Sequence, residues 1–378
     1  AASDVYKRQI GMLYLLTSLL SAQNERYTFT DFTVKDGLSH ANVLSIYEDK
    51  IGSYWVGTID GLTRILGNEI KNYSYHYSDS TSILSNHVQF VVEDACGQLW
   101  VSTSHGVSKY FSNTDSFVPV FVAGNLLKAF SYQLEGQHIL FGGNQAIYSY
   151  DCSVGEIKPL LLLQSSFPLS INYFKRVDKN RFLVVDNYKG VFWVDAQTGV
   201  VTRFPTIHHK TEYNQAFIDS ESHLWLAPYT KGLECYSLED EGKLLHHYTT
   251  DNSLLSHNSV TDVKEFGSQL WIATDGGGIN ILDRKSGFFQ HVTHSSFDEH
   301  SISSDFIRVL FEDSFGTKWA GTVHNGLICI HEGYMKHYSS VGNCELKGHG
   351  YRSVSSICED QDGNVWMGIE HSLSLIHI

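Results

Sequence analysis

Short apolar runs broken by polar turns recur along this chain, and the stretch 43–65 holds most of one unit. Val43 to Tyr47 has the pattern of a strand buried on both faces, and it stops at Glu48-Asp49. Gly52 marks a tight turn, Trp55-Val56-Gly57 a second strand, and Gly61 a second reversal before Leu62 and Ile65 of a third. Tyr73 and Tyr75 predict a fourth. Four short antiparallel strands make one blade of a β-propeller. A lone blade cannot bury its faces, so copies must stack.

The copies are present. Glu93-Asp94, Gly97, Trp100, Thr103 and Gly106 repeat the unit, as do Asp219, Trp225 and Gly232-Leu233. Trp271, Thr274 and Gly278 follow, then Glu312-Asp313, Gly316, Trp319, Gly321-Thr322 and Gly326-Leu327, and a last copy opens with Glu359-Asp360, Gly363, Trp366 and Gly368. Trp55 and Trp100 lie 45 residues apart, and the steps from Trp225 to Trp271, Trp319 and Trp366 are 46, 48 and 47. These fall within the ~40 to 50 residues of a propeller repeat. Trp100 and Trp225 are 125 residues apart, which leaves room for two eroded copies, Gln137–Tyr150 and Arg181–Val194. The expected fold class is therefore all-β: a seven-bladed propeller of four-stranded antiparallel blades, plus the start of a second propeller. Two segments compete for the outer strand that closes the ring, Tyr27 to Val34 and Tyr334 to Tyr338.

The domain boundaries follow. Residues 23–340 form the propeller and 341–372 the first strands of a second one. Ile10 to Leu20 is apolar, uncharged and too short to span a bilayer, and Ser21-Ala22-Gln23 follows it; 10–22 reads as a truncated signal peptide. Asp4 to Gln9 is what GATGTGTATAAGAGACAG encodes, and Leu373 to Ile378 is encoded by its reverse complement, which looks like a transposon end used in library preparation. Segments 1–9 and 373–378 are accordingly expected to be sequencing scars and are excluded from the fold.

At 378 residues, length alone would suggest two or three domains, but one closed ring absorbs most of it. Aromatic residues at 13%, with 31 Gly and only 5 Pro, fit a folded β-rich chain. The net charge of −14 argues against a general nucleic-acid binder, which needs a basic face. The six cysteines (96, 152, 235, 329, 344 and 358) show no CxxC spacing. Buried free thiols are the expectation, with Cys344–Cys358 or Cys329–Cys344 as the pairs to form in an oxidising compartment. No metal site and no cofactor are expected: His208-His209 and His246-His247 are adjacent on strands and point to opposite faces.

Glu-Asp pairs beside the first turn of blade after blade predict a structural hydrogen-bonding role, because an active site needs one such set. The recurrent Trp reads as packing between blades. Binding is therefore sought where copies differ, on the rim shared by the B-to-C loops and the D-to-A crossings. The B-to-C loops supply Asp60, His105, Tyr188, Lys189, Tyr229, Lys231, Asp275, His324 and Asn325, with Ile59, Ser104, Asn187, Thr230 and Gly276 beside them. The crossings add His40, His87, His257 and Arg352. Aromatic, amide, imidazole and cationic groups on one rim suit a polar ligand such as an oligosaccharide.

The opening Phe32 to Ser39, FTVKDGLS, followed by Val43, Glu48-Asp49, Gly52, Trp55, Gly57-Thr58 and Gly61-Leu62, resembles the start of the periplasmic sensor region of hybrid two-component systems. The crossings Ser82 to Asn86 and Ser301 to Asp305 are similar to that family's Ser-Leu-x-x-Asn linker. The likeness covers 27–371. It implies two seven-bladed propellers, an immunoglobulin-like β-sandwich, a membrane span, and a cytoplasmic histidine kinase with receiver and DNA-binding domains. By that resemblance this chain is the periplasmic, non-catalytic ligand-sensing part, homodimeric in the full receptor and responsive to polysaccharide fragments. Two readings compete with it: a propeller enzyme acting on glycans, such as a lyase or hydrolase, and a non-catalytic interaction scaffold.

Overall fold

The structure is a computed structural model describing residues 27–207, 212–240, 242–298, 300–333, 354–359, 365–369 and 372–376. Its chain divides into two units, Ala1–Gly333 and Tyr334–Ile378. In the first unit, seven four-stranded antiparallel sheets follow one another, at 43–73, 88–119, 131–162, 173–203, 213–248, 260–292 and 307–332. We call them blades 1 to 7, with strands A to D running outward from the axis. Both eroded copies, blades 3 and 4, are complete sheets. A two-residue hairpin, Phe121–Val122 with Asn125–Leu126, is inserted between blades 2 and 3. Described separately, the second unit holds a three-stranded sheet of Val354–Glu359, Val365–Ile369 and Ser372–Ile376, the last strand overlapping the segment expected to be a scar. The expected signal peptide lies outside the described residues.

Blade 7 supplies three of its own strands, and Tyr27–Phe32 is the fourth, pairing antiparallel from Tyr27↔Glu332 to Phe32↔Leu327. This settles which segment closes the ring. The physical reason is visible in YTFTDF: Tyr27 is buried with its ring 5.8 Å from Trp271, and Phe29 packs on the same core, so the inward face of the strand fills the junction of blades 6 and 7. Tyr334 to Tyr338 lies outside the described residues.

The core sits between blades. Seven clusters of buried side chains occupy the seven junctions, for example Trp55 and Leu62 of blade 1 against Val91, Leu99 and Val101 of blade 2. Each such fully buried side chain is worth roughly 1.5–3 kcal/mol. The junction of blades 7 and 1 has the smallest buried cluster and carries an apolar cavity of about 330 Å³ bounded by Tyr54, Ile65, Trp319 and Cys329.

The Glu-Asp pair divides two tasks. One carboxylate oxygen of Asp94 accepts the N–H groups of Cys96 and Gln98, both at 3.0 Å, and the other accepts the indole N–H of Trp100 at 3.0 Å. Asp49, Asp219 and Asp313 do the same with Trp55, Trp225 and Trp319 at 2.7 to 2.9 Å. The glutamate instead caps the turn of the preceding blade: Glu93 takes the N–H of Lys50, Glu265 that of Ser220, and Glu48 that of Ser314, which stitches blade 7 to blade 1. Blade 6 has a shorter turn and no such aspartate, and among the described residues its buried Trp271 indole N–H has no partner.

The repeated Gly of the B-to-C loop is also structural. Gly232 has φ +83°, and a Cβ there would stand 2.0 Å from the Tyr248 carbonyl at the end of strand D. Gly326 repeats this arrangement against the Phe32 carbonyl, at 2.5 Å. Only glycine tolerates both the left-handed backbone and this close approach.

Candidate functional site

In blades 1, 5, 6 and 7 the B-to-C glycine donates its N–H to the D-to-A crossing of the next blade: Gly61 to Asn86, Gly232 to Asn258, Gly278 to Asp305 and Gly326 to Ala41, at 2.8 to 2.9 Å. The two loop sets therefore share one rim, as the repeat geometry requires. Tyr188 and Tyr229 stand out from it, 72% and 55% exposed. Several of the other expected ligand groups are already engaged within the protein. Asp60 accepts from the Asn86 amide at 2.7 Å, Asn325 donates to the Ser303 carbonyl at 2.9 Å, and Lys189 holds Asp186 at 3.4 Å and the Pro168 carbonyl. At Lys231 and Asp275 it is the backbone that is bonded: the Lys231 carbonyl accepts from His247 at 2.8 Å, and the Asp275 N–H donates to the Ser259 carbonyl at 2.9 Å. His324 packs against Phe306, and His105 lies 3.4 Å from the Ser104 hydroxyl. His40 and His257 each cap their own crossing, with Nδ1 accepting the N–H two residues on. Arg352 lies outside the described residues.

The axis of the ring opens as a cavity of about 730 Å³, and none of the described B-to-C ligand candidates lines it. Its walls come from strand A and the residues just before it, joined by Asn187 from the B-to-C loop of blade 4. Facing the loop rim are His87, Gln89, Asn172, Asn187, Gln215 and Arg308. Only His87 and Asn187 of these stood among the expected loop residues. An extra residue in strand A re-aims the chain at this mouth in five blades, at Leu44, Gln89, Asn214, Thr261 and Arg308. In blades 5 and 6 that residue reaches the next blade's first strand-A carbonyl: the Asn214 amide donates to Val260 at 2.9 Å and the Thr261 hydroxyl to Ile307 at 2.6 Å. Among the described residues, the side chains of His87, Asn187 and Arg308 make no hydrogen bond or ion pair. The mouth thus offers an imidazole, an amide and a guanidinium to a polar ligand. A sequence signal existed for Arg308 alone, in the residue after the first strand-A position, where Gln89, Asn214, Thr261 and Arg308 stand in four of the seven copies.

Two cysteines, Cys96 and Cys152, depart from the expectation of buried free thiols, and Cys235 and Cys329 match it. Cys96, in the A-to-B turn of blade 2, is bonded to Cys152, in the C-to-D turn of blade 3, across a separation of 56 residues. The two belong to different copies, so spacing within a copy does not reveal them. Asp94 lies close to both sulfurs, but a disulfide offers no thiolate to a metal. Cys235 and Cys329 are buried free thiols, each pushed up to about 12, chiefly by burial, and so unreactive near neutrality. Cys344 lies outside the described residues, as does the side chain of Cys358.

The fold and its repeat define a class: a seven-bladed propeller whose residues 37–60 match the two-component regulator propeller repeat, as do residues 349–371 of the second unit. Over 64 residues the chain is 50% identical to histidine kinase P4 of Formosa agariphila, covering 17% of this chain and 5% of that protein. The extracellular domain of a proposed hybrid two-component system from B. thetaiotaomicron superposes with a TM-score of 0.67 at 23% identity, over 90% of this chain and 47% of that one. The virginiamycin B lyase of Staphylococcus aureus superposes with a TM-score of 0.56 at 12% identity, over 80% of this chain and 99% of the lyase. The chain thus spans about half the length of the first structure and a small part of the kinase.

Proposed function

We propose that this chain is the extracytoplasmic sensor propeller of a hybrid two-component receptor, which binds an oligosaccharide on its loop rim and channel mouth. The observation that carries the reading is the two-component regulator repeat at 37–60 and 349–371. The 64-residue likeness to a histidine kinase supports it, as does a disulfide suited to an oxidising compartment such as the periplasm. Binding would favour one packing of this propeller against the neighbouring domains, a second propeller and a β-sandwich in a homodimeric receptor. A ligand shifts that equilibrium only as far as its affinities for the two packings differ. The relay then passes to a cytoplasmic histidine kinase.

The test is calorimetry and thermal shift of the chain against an oligosaccharide panel, with product analysis of the same mixtures. Saturable stabilisation without turnover supports the sensor. Cleavage of a glycan moves the chain to the enzyme class, and silence on both counts favours an interaction scaffold.

A further inference from the structure

We infer that the ligand of the channel mouth is an acidic oligosaccharide, whose carboxylate or sulfate group is held by Arg308; this rests on the oligosaccharide reading above. Arg308 occupies the extra strand-A position of blade 7, exposed at the mouth of the 730 Å³ cavity. Its counterparts Asn214 and Thr261 are spent on the neighbouring blade's carbonyl, whereas among the described residues nothing pairs with the Arg308 guanidinium.

The other charged groups lining the cavity are accounted for within the protein. Asp262 accepts from the Gln215 amide at 2.7 Å and the Leu310 N–H at 2.9 Å, and Lys264 lies 4.0 Å from Asp262. Glu265 binds Ser220 and Arg284, and Glu312 lies 3.6 Å from Lys318. Arg308 is therefore the uncommitted charge of the cavity among the described residues. A guanidinium presents a planar fork that matches a carboxylate or sulfate with two parallel hydrogen bonds, and it gains most where the surroundings are partly desolvated. The Asn187 amide and the His87 imidazole on the same mouth supply donors and acceptors for hydroxyl groups.

The experiment is calorimetry of the full chain against uronate-containing and sulfated di- and trisaccharides, each paired with its carboxyl-reduced or desulfated counterpart. An acidic sugar should bind roughly 10- to 100-fold more tightly than its neutral counterpart, the range of one charge-assisted hydrogen-bonded contact. Arg308→Gln should erase that ratio, and Arg308→Lys should keep part of it. Thermal unfolding of both variants should match the parent, since the side chain is exposed and, among the described residues, unpaired. The carboxyl-reduced and desulfated arms tell which anion is read. If neutral oligosaccharides bind as well as acidic ones, or if Arg308→Gln leaves the ratio intact, the inference falls while the sensor reading stands. If no oligosaccharide of either kind binds, both fall.

Discussion

Two tryptophans in equivalent places, one with and one without an acceptor, allow the structural role of the repeat to be measured inside one molecule. Trp100 and Trp271 are both 0% exposed, and Trp→Phe removes the same atoms from each. At Trp100 the change also removes the 3.0 Å bond to the Asp94 carboxylate, a charge-assisted contact worth about 1.5–3 kcal/mol. At Trp271 it removes a buried N–H that has no partner among the described residues, which relieves a desolvation penalty of about 1–3 kcal/mol. The packing loss is common to both. Trp100→Phe should therefore destabilise the chain by about 2.5–6 kcal/mol more than Trp271→Phe, read as the difference in urea-unfolding free energy. Asp94→Asn made alone and in the Trp100→Phe background completes a double-mutant cycle, with an expected coupling above ~1 kcal/mol. Equal losses at the two tryptophans together with a coupling near zero would refute the claim that the aspartate secures the blade through the indole.

Other outcomes follow from the same structure. Burial alone would raise the carboxyl groups of Asp219 and Asp313, but the bonds from Trp225, His223 and Arg284 to the first, and from Trp319, Tyr54 and turn N–H groups to the second, outweigh it and hold both below 3.8. Their contribution to stability is therefore complete above pH ~4 and is lost as the pH falls through the depressed values, so thermal midpoints should drop in that window and Asp313→Asn should flatten the drop. Reducing the Cys96–Cys152 bond, or replacing Cys152 with Ser, opens a loop of 56 residues and should cost about 4 kcal/mol by chain entropy; an unchanged midpoint in reductant would contradict the cross-link. Gly232→Ala combines a left-handed backbone with a 2.0 Å approach to the Tyr248 carbonyl, and should cost about 3 kcal/mol or more in equilibrium unfolding, while Gly52→Ala, with φ +82° and open space, should cost about 1–2.

The architecture was legible in the sequence because its causes are local and repeated. A strand-B tryptophan in five of the seven blades, an aspartate six positions before four of them and a glycine opening the third strand mark bonds and turns made within one blade, and their recurrence makes the signal redundant. Blades 3 and 4 were found by spacing where the motif had eroded. Contacts between blades belong to the tertiary structure. Tyr27–Phe32 meets a strand that begins 295 positions after its last residue, Cys96 meets Cys152, and Arg308, His87 and Asn187 line one cavity at the axis. A repeat pattern shows what each copy does for itself. Closing the ring brings residues of distant copies together, and the unspent groups at the channel mouth are products of that closure.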